Sequence, residues 1–329
     1  MKTTYIKVDP ASPDEAALRE AAECIKKGGL VAFPTETVYG LGADSFNESA
    51  VKKIYIAKGR PSDNPLISHI AHIDDALKLA EYVPEDAKKL MEAYWGGPLT
   101  IILKRRGDVP MIVSAGLDTV SIRMPSHSVA NMLIRLSGTP IAAPSANLSG
   151  SPSPTTFEHC KADMDGRVDM IIDGGECSIG VESTVVDMTG EVPVILRPGA
   201  VTLDDIISVC GKGMFGGEYA DAPKCPGMKY VHYSPDAEVF AVGDMESFKM
   251  PRDENAAIIA YDKYVNAAKG CRFYSAGCSD SEYAARLFYL LRKADDDGIK
   301  TVYAQLPENK GMGTAIRNRL LKSAGGRVI

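Results

Sequence analysis

The sequence predicts an α/β protein of the α+β kind, a mixed-sheet region followed by a smaller parallel α/β region. Three observations predict it. Through residue 210, short β-branched or apolar runs outnumber the helical patterns between them. From residue 237 onward, strand and helix patterns alternate, as in a small parallel sheet. Between these regions the chain is rich in Gly and Pro and loses periodicity, which marks a connector. The expected division is therefore 1–210, a linker over 211–236, and 237–329. A chain of 329 residues exceeds the usual size of one core, in keeping with two.

In chain order, SPDEAALREAAECIKKGG predicts a helix opened by a Ser12–Glu15 capping box with Pro13 in its first turn. Gly28 closes it, and Leu18, Ala21, Ala22 and Ile25 form its buried stripe. Leu30 to Phe33 reads as a buried strand that Pro34 ends in a turn leading into TETVYGLGAD. Further strands are expected at Pro65–Ala71, Leu99–Leu103, Thr119–Met124, Pro140–Ala143, Met170–Ile172, Ser183–Asp187 and Pro193–Leu196. Helical patterns fall at Asp74–Tyr94, Ser128–Leu136 and Leu203–Cys210. After the connector, strands are expected at Glu238–Val242, Ala256–Tyr261, Cys271–Ser275 and Thr301–Leu306, with helices from Glu282 and from Thr314.

Composition narrows the class of function. Hydrophobic residues at 45% and charged residues at 24% place the chain among folded globular proteins. No apolar run is long enough to span a bilayer and the N-terminus lacks a signal peptide's apolar core, so a cytoplasmic location is expected. The seven cysteines include no C-x-x-C pair, which argues against a disulfide framework or a zinc ribbon. A net charge of -6 repels nucleic acid, so contact with a nucleotide must come from local cations. Lys52, Lys53 and the Lys104–Arg106 run read as solvated faces, whereas Lys58 and Arg60 sit in an unusual loop.

Four loops after strands carry small polar residues and cations: PTETVYGLG (34–42), KGRPSDNPL (58–66), PSANLSG (144–150) and VESTVVD (181–187). Singly, each is ordinary turn chemistry. Together they supply hydroxyls, amides, backbone donors and two cations, the inventory for holding a polyphosphate. Arg123 in SIRMP and Arg197 in LRPGA add guanidiniums where strands end. No P-loop signature occurs, and Gly311-x-Gly313 is too short for a dinucleotide fingerprint. His69 and His72 lack a third ligand nearby, so no metal site is expected there.

These motifs, in this order, resemble those of the YrdC-like threonylcarbamoyl-AMP synthases across the first two hundred residues. PGMKYVHYSP and the ending GMGTAIRNRL are similar to the long, two-domain branch of that family. The resemblance implies a twisted open mixed sheet with a concave basic cavity, followed by a smaller Rossmann-like parallel α/β domain. It implies a nucleotidyltransferase that joins L-threonine, bicarbonate and ATP, with Mg²⁺ accompanying the ATP, for threonylcarbamoyl modification of tRNA adenosine. Its expected partners are those substrates and a downstream threonylcarbamoyl transferase complex, without a membrane or tight RNA binding.

The family's roles carry over as follows. Lys58 and Arg60 would act at the ATP phosphates, with Asn64, Ser145 and Asn147 completing that site. Thr119, Ser153, Arg197 and Tyr230 are further ATP candidates. Thr37, His69, Arg123, Ala143 and Ser183 would surround threonine, Arg123 facing its carboxylate. The segment 225–235 carries Met228, Lys229, Tyr230, His232 and Tyr233, side chains suited to a lid. Two alternatives share the domain type. An RNA-binding module would need an RNA-recognition motif, and none is evident. A carbamoyltransferase working through a carbamoyl adenylate would, in the hydrogenase-maturation type, bring zinc-finger cysteine pairs.

Overall fold

The computed structural model describes residues 2–216, 233–249, 253–268 and 270–329. The first unit comprises β1 (Thr4–Lys7), α1 (Glu15–Lys26), β2 (Val31–Phe33), β3 (Gly40–Asp44), α2 (Glu48–Lys58), β4 (Ile67–His69), α3 (Glu85–Tyr94), β5 (Leu99–Lys104), β6 (Thr119–Arg123) and α4 (Ser128–Ser137). It continues through β7 (Ile141–Ala143), α5 (Phe157–Met164), β8 (Met170–Asp173), β9 (Thr184–Asp187), β10 (Val194–Arg197), α6 (Leu203–Cys210) and β11 (Met214–Phe215). The second unit holds β12 (Glu238–Val242), β13 (Ala256–Ala260), β14 (Arg272–Ser275), α7 (Asp280–Asp296), β15 (Thr301–Gln305) and α8 (Met312–Ser323).

Among the described residues these strands form two sheets, in the orders β1-β8-β2-β3-β7-β4-β6-β5-β9-β10-β11 and β12-β15-β13-β14. The first is mixed: β4 runs parallel to β6 and antiparallel to β7, and β5 runs antiparallel to β6 and parallel to β9. Pairing in the second sheet is parallel throughout. The expected mixed sheet and smaller parallel α/β unit are thus both present. The smaller core built on Leu287, Phe288, Leu291 and Val302 also takes in Val38 and Val181 of the first unit, so apolar packing runs between the two.

Several elements differ from the sequence reading, each for a local reason. The expected helix over 74–94 is a 3-10 turn at Ile73–Lys78 followed by α3, because Pro84 has no N–H to continue a helix and instead stands at its N-cap. Helix α1 is capped by the Asp14 carboxylate, which accepts from Ala16 N–H, in place of the Ser12 box. Helices α7 and α8 each begin two residues earlier than expected. The sequence pattern does not mark β1, α2 or α5, and TETVYGLGAD, expected to be a loop, contains strand β3. A strand at 214–215 pairs with β10 inside the stretch read as linker.

Candidate functional site

The loop after β2 is shaped by Thr35, whose hydroxyl donates to Val38 O at 2.6 Å and accepts from the N–H groups of Thr37 and Val38 at 3.2 Å. This turns Thr37 toward the sheet. There, Ile67 and His69, two apart on β4, share one face. Ala143 is the register partner of Ile67 and Arg123 that of His69, so four residues from three strands share this face at two successive levels. The loops close a cavity of about 620 Å³, its open mouth included, above this floor. Its wall also takes in Arg60, Ser145, Asn147, Glu182, Ser183, Arg197 and Tyr233.

One side is cationic. Helix α2 ends at Lys58 because Gly59 takes a left-handed cap with φ 61°, and Arg60 leaves the helix axis into the cavity wall. The Arg60 Nη2 donates to Asn64 O at 3.1 Å, and burial pushes its pKa down to about 10, which leaves it charged at neutral pH. Lys58 is buried beneath the 144–150 loop, where Nζ donates to the carbonyls of Ser145 and Asn147. Burial, with the neighbouring Arg60 charge adding to it, lowers its pKa. The Ser145 hydroxyl donates to Asn147 Oδ1 at 2.5 Å, so the loop is held from below and within itself.

Elsewhere in the wall, the Arg197 Nε donates to Ser183 O at 3.0 Å and Nη2 to Ser183 Oγ at 3.1 Å. Ser183 Oγ also lies 2.7 Å from Thr100 Oγ1. A register shift between Ile195 and Arg197 bulges β10 at this point, a common way of re-aiming a side chain at a site. Glu182 accepts from Ser153 Oγ at 2.6 Å and from Arg319 Nε at 2.9 Å. Burial raises its pKa, but the charges of Arg319 and Arg197 outweigh that, and the net shift is downward.

At the floor, Arg123 is held by three groups of this chain, although its buried Nη2 makes no hydrogen bond among the described residues. Its Nη1 donates to Thr37 Oγ1 at 2.8 Å, its Nε to Gly97 O at 3.2 Å, and its Nη2 lies 2.7 Å from Glu36 Oε1, with both side chains buried. Burial raises the Glu36 pKa, yet the Arg123 charge holds it below the usual carboxylate range. His69 Nδ1 lies 3.1 Å from Ile67 O, which fixes the proton on that nitrogen. Burial and then the Arg123 charge depress its pKa to about 3, so the imidazole is neutral.

Of the residues expected from sequence, Thr37, Arg60, His69, Arg123, Ala143, Ser145, Asn147, Ser183 and Arg197 line this one cavity. Lys58 and Ser153 stand behind the wall and hold it. Asn64 is fully buried beside Arg60, and its side-chain amide has no hydrogen-bond partner among the described residues. Thr119 begins β6, opposite Lys104 and at the far end of the strand from Arg123, and does not line the cavity. Tyr230 and most of the 225–235 segment lie outside the described residues. Sequence reasoning missed Glu36 and Glu182, although each sits beside an expected residue in its motif. It could not see Arg319, which is about 140 residues from Glu182 in sequence.

A family model described as telomere recombination, the Sua5/YciO/YrdC family, matches residues 23–199. One described as threonylcarbamoyl-AMP synthase, C-terminal domain, matches residues 201–325. The chain is 46% identical over 327 residues to a threonylcarbamoyl-AMP synthase of Pyrococcus abyssi, covering 96% of each chain. It is 43% identical over 343 residues to the one of Bacillus subtilis, covering 98% of this chain and 96% of that one. Among solved structures, P. abyssi Sua5 complexed with L-threonine superposes with a TM-score of 0.91, covering 99% of both chains at 43% identity.

Proposed function

Because the chain belongs to the Sua5/YciO/YrdC family of threonylcarbamoyl-AMP synthases, we propose that it joins L-threonine, bicarbonate and ATP into threonylcarbamoyl-AMP and pyrophosphate. The product would serve threonylcarbamoyl modification of tRNA adenosine. The observation that carries this reading is the convergence of nine motif residues, spread from Thr37 to Arg197, on one cavity lined by three guanidiniums and several hydroxyls. The P. abyssi structure that superposes on this chain holds L-threonine.

In this reading the threonine amine takes up bicarbonate as a carbamate, losing water. A carbamate oxygen then forms a bond to the α-phosphorus of ATP as the bond to pyrophosphate breaks. Both reactants are anions, so the barrier is lowered chiefly by fixed positive charge in a site closed to water. Arg60 and Arg197 both line the cavity, near enough for their charges to interact, and are suited to that task. Lys58 acts through the carbonyls of Ser145 and Asn147, keeping the loop in place. Asn64 lies behind the lining, its carbonyl accepting from Arg60, and would act through that guanidinium. His69, with a pKa of about 3, is a poor base at neutral pH and serves as a hydrogen-bonding wall.

Arg123 keeps its charge balanced by Glu36, so it would offer threonine's carboxylate directed N–H groups rather than net charge. Glu182, a carboxylate on the cavity wall, has its charge paired with Arg319, so Mg²⁺ would enter on the triphosphate as part of the nucleotide substrate. Tyr233 on the wall supports a lid role for residues 225–235. Incubation with ATP, threonine and ¹³C-bicarbonate tests the product: mass spectrometry should find an AMP conjugate carrying both threonine and one ¹³C. Unlabelled product, or AMP alone, would contradict the reading.

A further inference from the structure

Two arginines of the second unit, Arg319 buried and Arg292 partly buried, reach segments of the first unit next to the cavity. Arg319, on α8, is fully buried. Its Nε donates to Glu182 Oε2 at 2.9 Å, its Nη2 to the Glu182 carbonyl at 3.2 Å and its Nη1 to the Pro198 carbonyl at 2.7 Å. Glu182 precedes Ser183 and Pro198 follows Arg197, so a single guanidinium ties together the segments that carry a cavity hydroxyl and a cavity cation. It also lies 5.9 Å from the Tyr233 ring centroid. Tyr233 holds a left-handed φ of 67° because its carbonyl accepts from Ser323 Oγ at 2.6 Å and its ring packs on Phe288 at 5.1 Å.

Arg292, on α7, reaches the segment behind the 144–150 loop. Its Nη2 and Nη1 reach the two oxygens of Asp163 at 2.6 and 3.2 Å, and its Nε donates to Pro152 O at 3.1 Å. Asp163 Oδ2 in turn accepts the N–H of Leu148, the residue after Asn147. A buried ion pair contributes little net stability against an apolar alternative, but its geometry is strict. A planar fork that reaches two loops at once cannot be replaced by the point charge of lysine.

We propose that Arg319 is a positioning residue for the reaction, holding Ser183 and Arg197 in place through Glu182 and the Pro198 carbonyl, with Arg292 bracing the Ser145–Asn147 loop. The second unit is then part of the active-site scaffold. This rests on the threonylcarbamoyl-AMP reading of the cavity.

The test compares full-length wild type with Arg319→Lys and Arg292→Lys. Arg319→Lys should stay folded and lose about 30-fold in kcat/KM for both ATP and threonine, whereas Arg292→Lys should lose about 10-fold for ATP with threonine little changed. Arg319→Lys within about two-fold of wild type on both substrates overturns the proposal. If the lysine variant does not fold, Glu182→Gln with Arg319→Met removes both charges and separates balance from position. The double variant should regain the wild-type Tm and still turn over more slowly than Glu182→Gln alone; equal turnover overturns the proposal. A wild type that makes no threonine-dependent product would refute the reaction instead. Positioning would then be read from calorimetric binding of ATP and L-threonine, where unchanged affinities in Arg319→Lys would overturn it.

Discussion

Lys58 and Arg60 stand two residues apart yet serve the cavity differently, one beneath a loop and one in the wall. Each alanine substitution should cost about 3 kcal/mol in kcat/KM for ATP, the scale of one preorganised donor, with the circular dichroism spectrum unchanged. A near wild-type value for either would remove that residue from the site. Arg123→Ala should raise KM for threonine more than KM for ATP. It should also cost about 3 kcal/mol in stability, because Glu36 is left buried without its partner. Adding Glu36→Gln should restore the stability in urea denaturation while leaving KM for threonine high. Restoration of both would mean that Arg123 only balances charge.

His69 gives a pH signature. Its folded pKa of about 3 lies below the ordinary value, so between about pH 6.5 and 3 the unfolded chain binds a proton that the folded chain does not. Stability is therefore lost as pH falls through that window and is unaffected above it. The slope from this one proton approaches about 1.4 kcal/mol per pH unit, and His69→Gln should remove it from urea-unfolding curves taken between pH 5 and 7. An unchanged slope would show that the imidazole is already protonated in the fold.

At the scale of elements, turns and caps were legible where residue type dictates backbone. Gly28, at the close of α1, is such a position, whereas the left-handed Gly59 caps a helix, α2, whose mixed charged and apolar residues do not mark it and whose last residue, Lys58, is expected in a loop. β3 resembles a loop in sequence because its two glycines and single large apolar residue give no alternation to mark a strand. Two glycines separate local from tertiary cost. Around Gly59 a Cβ meets nothing within 4 Å, so Gly59→Ala should cost only about 1 kcal/mol of conformational strain. At Gly180, with φ 77°, a Cβ would come within 2.4 Å of Ala284 O on α7. Gly180→Ala should therefore cost more than about 2 kcal/mol and pry the two units apart. Equal losses of Tm for the two variants would contradict the close approach.

Across the whole molecule, the sequence disclosed both sheets and most of the cavity, because these lie in local motifs whose chemistry is carried by contiguous residues. It did not disclose what joins the units. Arg292 with Asp163, Arg319 with Glu182, and Val38 and Val181 in the second core are partners far apart in sequence, and nothing local marks them. Such ties predict one cooperative unfolding transition by calorimetry, with two separate transitions counting against them. Among the described residues no helix is long and apolar enough to cross a membrane. The most direct measurement is pyrophosphate release from ATP with threonine and bicarbonate each supplied or omitted. The account predicts release that requires both and stops when either is withheld; release that proceeds without threonine would contradict it.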